Sequence, residues 1–326
     1  MKSRPNGELT RIERLSSIIG APSSRVFTGI GDDAAVTASA KNRLLLCTDA
    51  MVEGIHFDLS YCDPTELGHK SLAATLSDIA AMNGEALYAL FSLAMPRTLG
   101  ESFIEEFYRG AQALAHRFGV DIVGGDLTAS RQDLFIDVTG VGNTAHPITR
   151  AGAKPGDTVV VSGFPGTSAA GLYSLRKRGR EKTPAALIQA HLLPLPRFDL
   201  LPGLSAACHS LIDVSDGLSS ELHHLARLSK VGFEIRSSAL PFHEEVLKIS
   251  PPAQALEWAL SGGEDYELLA TLDSEWVKIH GPPKGFTVIG QVVEPEKGLM
   301  LVSDNGEARP LVASGFDHFS TVSSRD

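Results

Sequence analysis

The chain has 326 residues, of which 43% are hydrophobic and 21% are charged, and this composition is typical of a globular protein with two domains. Its formal net charge is −10, which argues against a nucleic-acid partner, because proteins that bind nucleic acids carry a basic surface. Two interpretations of the acidity stay open: simple solubility, or carboxylates gathered to hold cations.

The predicted elements alternate between helix and strand along the chain. In the first half, the spacing of apolar residues predicts helices at 9–19, 64–82 and 102–118, and strands at 44–47, 88–94, 120–123 and 134–141. In the second half it predicts strands at 158–162, 211–214, 267–272, 286–293 and 299–302, and helices from residue 168 and at 185–192, 197–208 and 217–229. The basic stretch 176–182 is predicted to be a solvated connection. We therefore expect an α/β (α+β mixed) fold with domains at 1–148 and 149–326.

Cysteines and apolar segments indicate the compartment. Cys47, Cys62 and Cys208 form no C-x-x-C pair, which argues against a disulfide framework and a structural zinc site. The first residues lack the apolar core of a signal peptide, and polar residues interrupt the longest apolar region, 79–96. We expect a cytoplasmic protein with no membrane partner.

Short acidic turns, most of them flanked by glycine, are the most informative feature. They are G-I-G-D-D-A-A-V (29–36), T-D-A-M-V-E-G-I-H-F (48–57), L-S-D-I-A-A-M (76–82), V-G-G-D-L-T (123–128), D-V-S-D-G-L (213–218) and S-G-G-E-D-Y-E-L (261–268). Magnesium prefers carboxylate oxygens and keeps several waters, and glycine lets the backbone approach phosphate oxygens closely. The turns predict aspartates that converge on Mg²⁺ and phosphate.

Each of these features also has a structural explanation. Asp216 could cap its own helix, Asp78 could face solvent, and His56 could have a structural role. The segment 162–172, S-G-F-P-G-T-S-A-A-G-L, lies where a helix N-terminus can bind phosphate. It lacks the G-K-[ST] ending of a Walker loop, and a plain turn between strand and helix is favoured.

Taken together, the motifs carry a family resemblance. The ordered series G-I-G-D-D, T-D-x-x-V-E-G-x-H-F, L-S-D-I-A-A-M, V-G-G-D, T-R-x-G-A-K-P-G-D, S-A-A-G-L, D-V-S-D-G-L, W-A-L-S-G-G-E-D-Y-E-L and G-F-D-H-F resembles the thiamine-monophosphate kinase family over residues 8–319. The resemblance implies a two-domain fold like that of aminoimidazole ribonucleotide synthetase, with the N-terminal domain pairing in a homodimer. It also implies that ATP phosphorylates thiamine monophosphate to thiamine diphosphate with several Mg²⁺ ions, by direct in-line transfer without a general base.

The resemblance assigns roles to individual positions. The implied Mg²⁺ ligands are Asp33, Thr48, Asp49, Asp78, Asp126, Asp213 and Asp216, with Asp49 and Asp126 the most critical. The implied ATP contacts are Tyr108, Gly125, Asp126, Arg150 and Ser215, and the implied contacts to thiamine phosphate are His56, Glu264 and Phe316. Cys47 stands where the family often has serine, and only its backbone carbonyl suits Mg²⁺. The match of Tyr108 depends on helix register, and a core role is the alternative for Phe316.

Two other functions compete with this one. The first is another ATP-using enzyme of the same superfamily that acts on a different acceptor. The second is a non-enzymatic nucleotide- or metal-binding module, against which the acidic turns in both halves argue.

Overall fold

The computed structural model describes residues 8–28, 36–37, 42–204 and 206–315. They form two compact units. Unit 1 takes the described residues up to Ile148 together with Leu175–Lys182 and Leu192–Leu201. Unit 2 takes Thr149–Ser174, Thr183–His191 and the described residues from Pro202 onwards.

Unit 1 is built around a four-stranded sheet. Its elements are α1 (Glu8–Ile19), β1 (Val26–Thr28), β2 (Val36–Thr37), β3 (Arg43–Val52), α2 (Pro64–Ala81), β4 (Glu85–Pro96), α3 (Glu101–Phe118), β5 (Asp121–Ser130) and β6 (Phe135–Thr144). The sheet has the order β3-β6-β4-β5, with β4 and β5 parallel and β6 antiparallel to both β3 and β4.

One face of this sheet is packed by a helix, and on the opposite face several side chains of β3 and β6 are exposed. The thiol of Cys47 on β3 donates to the carbonyl of Thr75 on α2 at 3.4 Å. Leu46, the next residue back, is 68% exposed, because successive side chains of a strand point to opposite faces. Leu44 and Phe135 are also exposed, and unbroken β3–β6 pairing places them on the face of Leu46. The exposed face is therefore partly apolar.

The start of α2 explains the position of a segment from the second half of the chain. Asp63 and Glu66 form a capping box with Pro64 in the first turn, which satisfies backbone donors that a helix start leaves free. Glu66 is buried and accepts from the Arg180 guanidinium, with Nη1 to Oε2 at 2.9 Å. The expectation that 176–182 is solvated is confirmed, because all seven residues are exposed. The segment is nevertheless regular: helix continues to Arg178, and Arg180–Lys182 form a 3₁₀ turn from which Arg180 contacts α2.

Unit 2 is built around a seven-stranded sheet. Its elements are β7 (Thr158–Ser162), α4 (Thr167–Arg178, whose last turn belongs to unit 1), α5 (Ala185–Leu192), β8 (Cys208–Val214), α6 (Leu218–Ser229), β9 (Gly232–Arg236), α7 (Glu244–Ile249), α8 (Pro252–Ser261), β10 (Glu267–Leu272), α9 (Ser274–His280), β11 (Phe286–Val293), β12 (Leu299–Val302) and β13 (Ala308–Pro310). The strand order is β13-β12-β9-β11-β7-β10-β8. The described pairs are antiparallel except for β9 and β12, which run parallel.

One expectation about the second half of the chain was wrong in detail. No α-helix spans 197–208: a 3₁₀ helix, Phe198–Gly203, includes Pro202 and precedes β8, because proline lacks the N–H that an α-helix needs. On α6, Leu218, Leu222 and Leu225 are buried, whereas Leu228 is 46% exposed. None of the helices among the described residues has the length and apolar character needed to cross a bilayer.

Candidate functional site

On the sheet of unit 1, the predicted Mg²⁺ ligand Thr48 has a carboxylate neighbour. Its hydroxyl donates to Oδ1 of Asp137 on β6 at 2.9 Å. Asp49 follows on β3 and is half-buried, and both residues lie inside the strand rather than in a turn after it. Asp137 was missed by sequence reasoning, since no glycine or turn marks it. Hydroxyl and carboxylate oxygens meet here, and these are donors that Mg²⁺ accepts.

Gly125 and Asp126 also lie within a strand. Both are exposed residues of β5, and Asp126 pairs with Ser92 of the parallel strand β4. Gly125 has φ 152°, and a Cβ there would lie 2.7 Å from the carbonyl carbon of Phe91. Glycine is therefore required for β5 to approach β4 at this point.

Two further predicted residues of unit 1 lie on helices. Asp78 is half-buried on α2. Tyr108 on α3 is buried against Phe91 and Phe107, with ring centroids 5.6 and 5.5 Å away, and burial raises the pKa of its phenol. This placement favours a core role, and an ATP contact by the Tyr108 ring stays a prediction.

His56 has a defined orientation in the turn after β3. Its Nδ1 accepts from the backbone N–H of Val52 at 2.9 Å. Because Nδ1 accepts, the neutral ring carries its proton on Nε2. His56 is half-buried, so this structural bond leaves open the contact to thiamine phosphate that the resemblance implies.

In unit 2, the turn after β8 brings several carboxylates together. Asp213 is a buried residue at the last position but one of β8, and Ser215 and Asp216 after the strand are half-buried. Glu221 on α6 is buried and accepts from the backbone N–H of Asp216 at 3.0 Å. Burial raises the pKa of Glu221 to about 8, reinforced by Asp213 and Asp216 and opposed by Arg150. Sequence reasoning missed Glu221, which looks like an ordinary residue of a helix first turn.

The turn that carries Glu264 packs directly on this acidic turn. The N–H of Glu264 donates to the carbonyl of Ser215 at 2.7 Å, and that of Tyr266 to Val214 at 2.9 Å. Glu264 is half-buried, and its Oε2 lies 3.7 Å from Nδ1 of His191 on α5. The turns 213–218 and 261–268 of unit 2 therefore bring together four of the predicted site residues, namely Asp213, Ser215, Asp216 and Glu264.

The N-terminus of α4 already holds a protein carboxylate. The side chain of Asp265 accepts from the N–H of Gly166 at 2.7 Å and from that of Ser168 at 3.0 Å. These are the donors that a phosphate would use at a helix N-terminus. The plain-turn explanation of 162–172 is thus favoured over a phosphate cradle.

The predicted metal ligand Asp33 and the predicted substrate contact Phe316 lie outside the described residues. Across the described ranges, no group of three or more His, Cys, Asp or Glu side chains is placed to hold a metal ion. Magnesium in kinases is commonly held by one or two carboxylates and completed by phosphate oxygens and water. Thr48, Asp49 and Asp126 in unit 1, and Asp213 in unit 2, are oxygen donors of the kind that suits it.

Comparisons with known proteins agree across the chain. Residues 31–144 match the AIR synthase related protein N-terminal domain, and residues 154–305 match its C-terminal domain. Thiamine-monophosphate kinase of Escherichia coli (strain K12) is 37% identical over 97% of this chain and 99% of its own. That of Bacillus subtilis (strain 168) is 38% identical over 91% and 94%.

Solved structures give the same result. Thiamine-monophosphate kinase from Stenotrophomonas maltophilia K279a superposes with a TM-score of 0.80 at 30% identity, over 93% of this chain and 98% of its own. AaThiL complexed with AMPPCP and TMP superposes with a TM-score of 0.76 at 35% identity, over 98% and 99%. Escherichia coli HypE, with a TM-score of 0.74 at 21% identity over 92% and 96%, shares the fold. The chain belongs to the thiamine-monophosphate kinase family and carries both AIR synthase related domains.

Proposed function

We propose that this chain transfers the γ-phosphoryl group of ATP to thiamine monophosphate and produces thiamine diphosphate. The observation that carries the proposal is the likeness to AaThiL complexed with AMPPCP and TMP, which extends over 98% of this chain at 35% identity. A nucleoside triphosphate analogue and the acceptor are bound together in that protein. The same pair of ligands suits a kinase whose acceptor is a phosphate.

The donor side is assigned to backbone and charged groups. Gly125 offers exposed backbone next to the Asp126 carboxylate, and Ser215 lies in the acidic turn of unit 2. Arg150 is an exposed cation that offsets the negative charge of Glu221 in this unit. Its role is to screen the repulsion between ATP and the acceptor, which is the main barrier to bringing two polyanions together.

Magnesium is the proposed metal. Asp33, Thr48, Asp49, Asp78, Asp126, Asp213 and Asp216 are the residues that would hold it. When bound, Mg²⁺ neutralises charge that develops on the transferred phosphoryl group. The carboxylates of the chain bind and orient, and none of them is required to remove a proton.

The acceptor side is assigned to His56, Glu264 and Phe316. Thiamine monophosphate has a cationic thiazolium and an aminopyrimidine, which the Glu264 carboxylate can bind by charge and by hydrogen bonding. Its attacking oxygen belongs to a phosphate monoester that is already ionised, so the protein must position it rather than deprotonate it. Direct in-line transfer follows from this.

A cytoplasmic homodimer is the proposed form of the enzyme. Leu44 and Leu46, 54% and 68% exposed, and Phe135, 38% exposed, lie on one sheet face of unit 1, and exposed apolar faces of this kind serve as interaction surfaces. Sedimentation equilibrium should give a dimer mass, and Leu46→Glu should shift it towards monomer. A monomeric wild type at micromolar concentration would overturn this assignment.

Product analysis tests the reaction. With ATP, Mg²⁺ and thiamine monophosphate, the wild type should form thiamine diphosphate, and chelation of Mg²⁺ should stop it. Asp126→Asn should reduce kcat by at least about a hundredfold, because it removes a preorganised charge at the reacting phosphates. Asp133→Asn, at an exposed position just after the same strand, is the matched control and should retain normal turnover.

Other outcomes point to the competing functions. Turnover of another acceptor in place of thiamine monophosphate would indicate a different ATP-using enzyme of the superfamily. Tight ATP binding without turnover of any acceptor would indicate a binding module.

A further inference from the structure

The turn that carries Glu264 has an unusual backbone. Glu264 has φ 58° and Tyr266 has φ 51°, so residues with side chains occupy the left-handed region on both sides of Asp265. This region is unfavourable for such residues and persists only where surrounding contacts enforce it. Something outside the turn must therefore fix its conformation.

Asp265 supplies a strong constraint of this kind. Its carboxylate joins the turn to the start of α4 through the N–H groups of Gly166 and Ser168, at 2.7 and 3.0 Å. A carboxylate bound by helix N-terminal N–H groups makes charge-assisted hydrogen bonds that favour one orientation. One residue beyond Tyr266, Glu267 accepts from the buried hydroxyl of Ser162. The turn is thus attached at two points, to the last residue of β7 and to the start of α4.

The same contacts continue to the Glu264 side chain. The buried Ser168 hydroxyl lies 3.0 Å from Nδ1 of the buried His191. That nitrogen is also 3.7 Å from Oε2 of Glu264. Asp265 therefore fixes the backbone of the turn, while Ser168 and His191 form a buried polar edge beside the carboxylate of Glu264.

We propose that Asp265 is a positioning residue for the acceptor: by binding the N-terminus of α4 it holds Glu264, with His191 behind it, in the orientation that binds thiamine monophosphate. This inference rests on the proposed function for the identity of the acceptor. It assigns Asp265 no contact with the substrate. It also explains why this helix N-terminus carries a carboxylate of the protein itself.

The test compares two carboxylates that cap helices in the same unit. Asp265→Asn weakens the attachment of the turn, because an amide offers one oxygen where the carboxylate offers two. Asp273→Asn is the matched control: Asp273 caps α9 by accepting from Trp276 N–H at 2.8 Å. Ser168→Ala removes only the hydroxyl beside His191 and serves as a milder second variant.

Two measurements are made on each variant. Asp265→Asn should raise the KM for thiamine monophosphate about tenfold, since small displacements of binding groups are costly, while the KM for ATP changes less than about twofold. Ser168→Ala should shift the same KM in the same direction by a smaller factor. Hydrogen exchange of the Glu264 and Tyr266 amides, measured without ligand, should accelerate in Asp265→Asn and stay unchanged in Asp273→Asn.

The outcomes separate this inference from the proposed function. Unchanged exchange in the turn of Asp265→Asn would overturn the inference whatever the substrate is, and so would an equal rise of both KM values. An equal KM rise in Asp273→Asn would likewise overturn it, since a general loss of helix capping would then suffice. A wild type that does not phosphorylate thiamine monophosphate would overturn the proposed function, while the exchange experiment would still decide the role of Asp265.

Discussion

Two adjacent glycines on β5 allow a test of whether the close approach of β5 to β4 requires glycine at Gly125, the predicted ATP contact. At Gly125 a Cβ would lie 2.7 and 2.9 Å from the backbone C and N of Phe91 on β4, and closer still to its oxygen. At Gly124 the nearest atom would be Cδ2 of Leu90 at 3.7 Å, an ordinary contact. Gly125→Ala and Gly124→Ala are thus the same chemical change in two different environments.

The expected losses in the free energy of unfolding differ widely between the two variants. Carbon atoms prefer separations of about 3.5–4.0 Å, so Gly125→Ala must move β5 away from β4 by roughly 1 Å. Overpacking of this kind costs about 1–3 kcal/mol, and a side chain at positive φ adds about 1–3 kcal/mol. We expect a loss of about 2–6 kcal/mol for Gly125→Ala. Gly124→Ala should be neutral within roughly 0.5 kcal/mol or slightly stabilising, since alanine restricts the unfolded chain.

Thermal and urea unfolding of both variants measure the difference. For a unit of this size, 3 kcal/mol corresponds to a fall in Tm of roughly 6–12 °C. The KM for ATP should rise in Gly125→Ala and stay near the wild-type value in Gly124→Ala. If the two variants unfold within about 0.5 kcal/mol of each other, the close approach of β5 to β4 does not require glycine at position 125.

Two further predictions concern ionised groups. Arg180→Ala should lower the free energy of unfolding of unit 1, measured in urea, by about 1–2 kcal/mol, because it leaves the buried Glu66 carboxylate without this partner. The loss is no larger because Arg180 is 44% exposed and solvent screens the ion pair. Lys182→Ala is the control and should change this free energy little. Burial raises the pKa of Asp265 to about 7, although the N–H groups of Gly166 and Ser168 favour its ionised form. Asp265 is therefore the anion at the start of α4 above about pH 7, whereas at lower pH the folded state retains a proton that the unfolded chain releases near pH 4. Stability relative to Asp265→Asn should therefore fall as pH rises from about 4 to 7, and parallel pH curves for the two proteins would contradict this.

The elements that sequence predicted best are compact apolar runs. The strands at 158–162, 267–272, 286–293 and 299–302 have the predicted bounds, because continuous apolar residues between turn residues indicate a buried strand. The short helices α7 and α9 were missed, since each has fewer than eight residues. Such segments offer little periodicity to detect.

The acidic motifs of unit 1 show where local propensity fails. V-G-G-D-L-T and T-D-A-M-V were predicted as turns, yet they lie within β5 and β3. Glycine and aspartate disfavour strands in isolation, but pairing with β4 and β6 supplies the hydrogen bonds that keep these segments extended. Propensity is therefore overridden by partners that a single segment does not reveal.

At the start of α4, too, a residue distant in the sequence decides what a local motif does. Glycines before a helix predict an anion site because helix N-terminal N–H groups attract negative charge, and this physical reasoning is correct: an anion does lie there. It is the carboxylate of Asp265, 97 residues further along the chain than Ser168. A strand–helix junction can bind phosphate only while its donors are not already bound by a carboxylate of the protein, and here that carboxylate links the junction to the turn that presents Glu264.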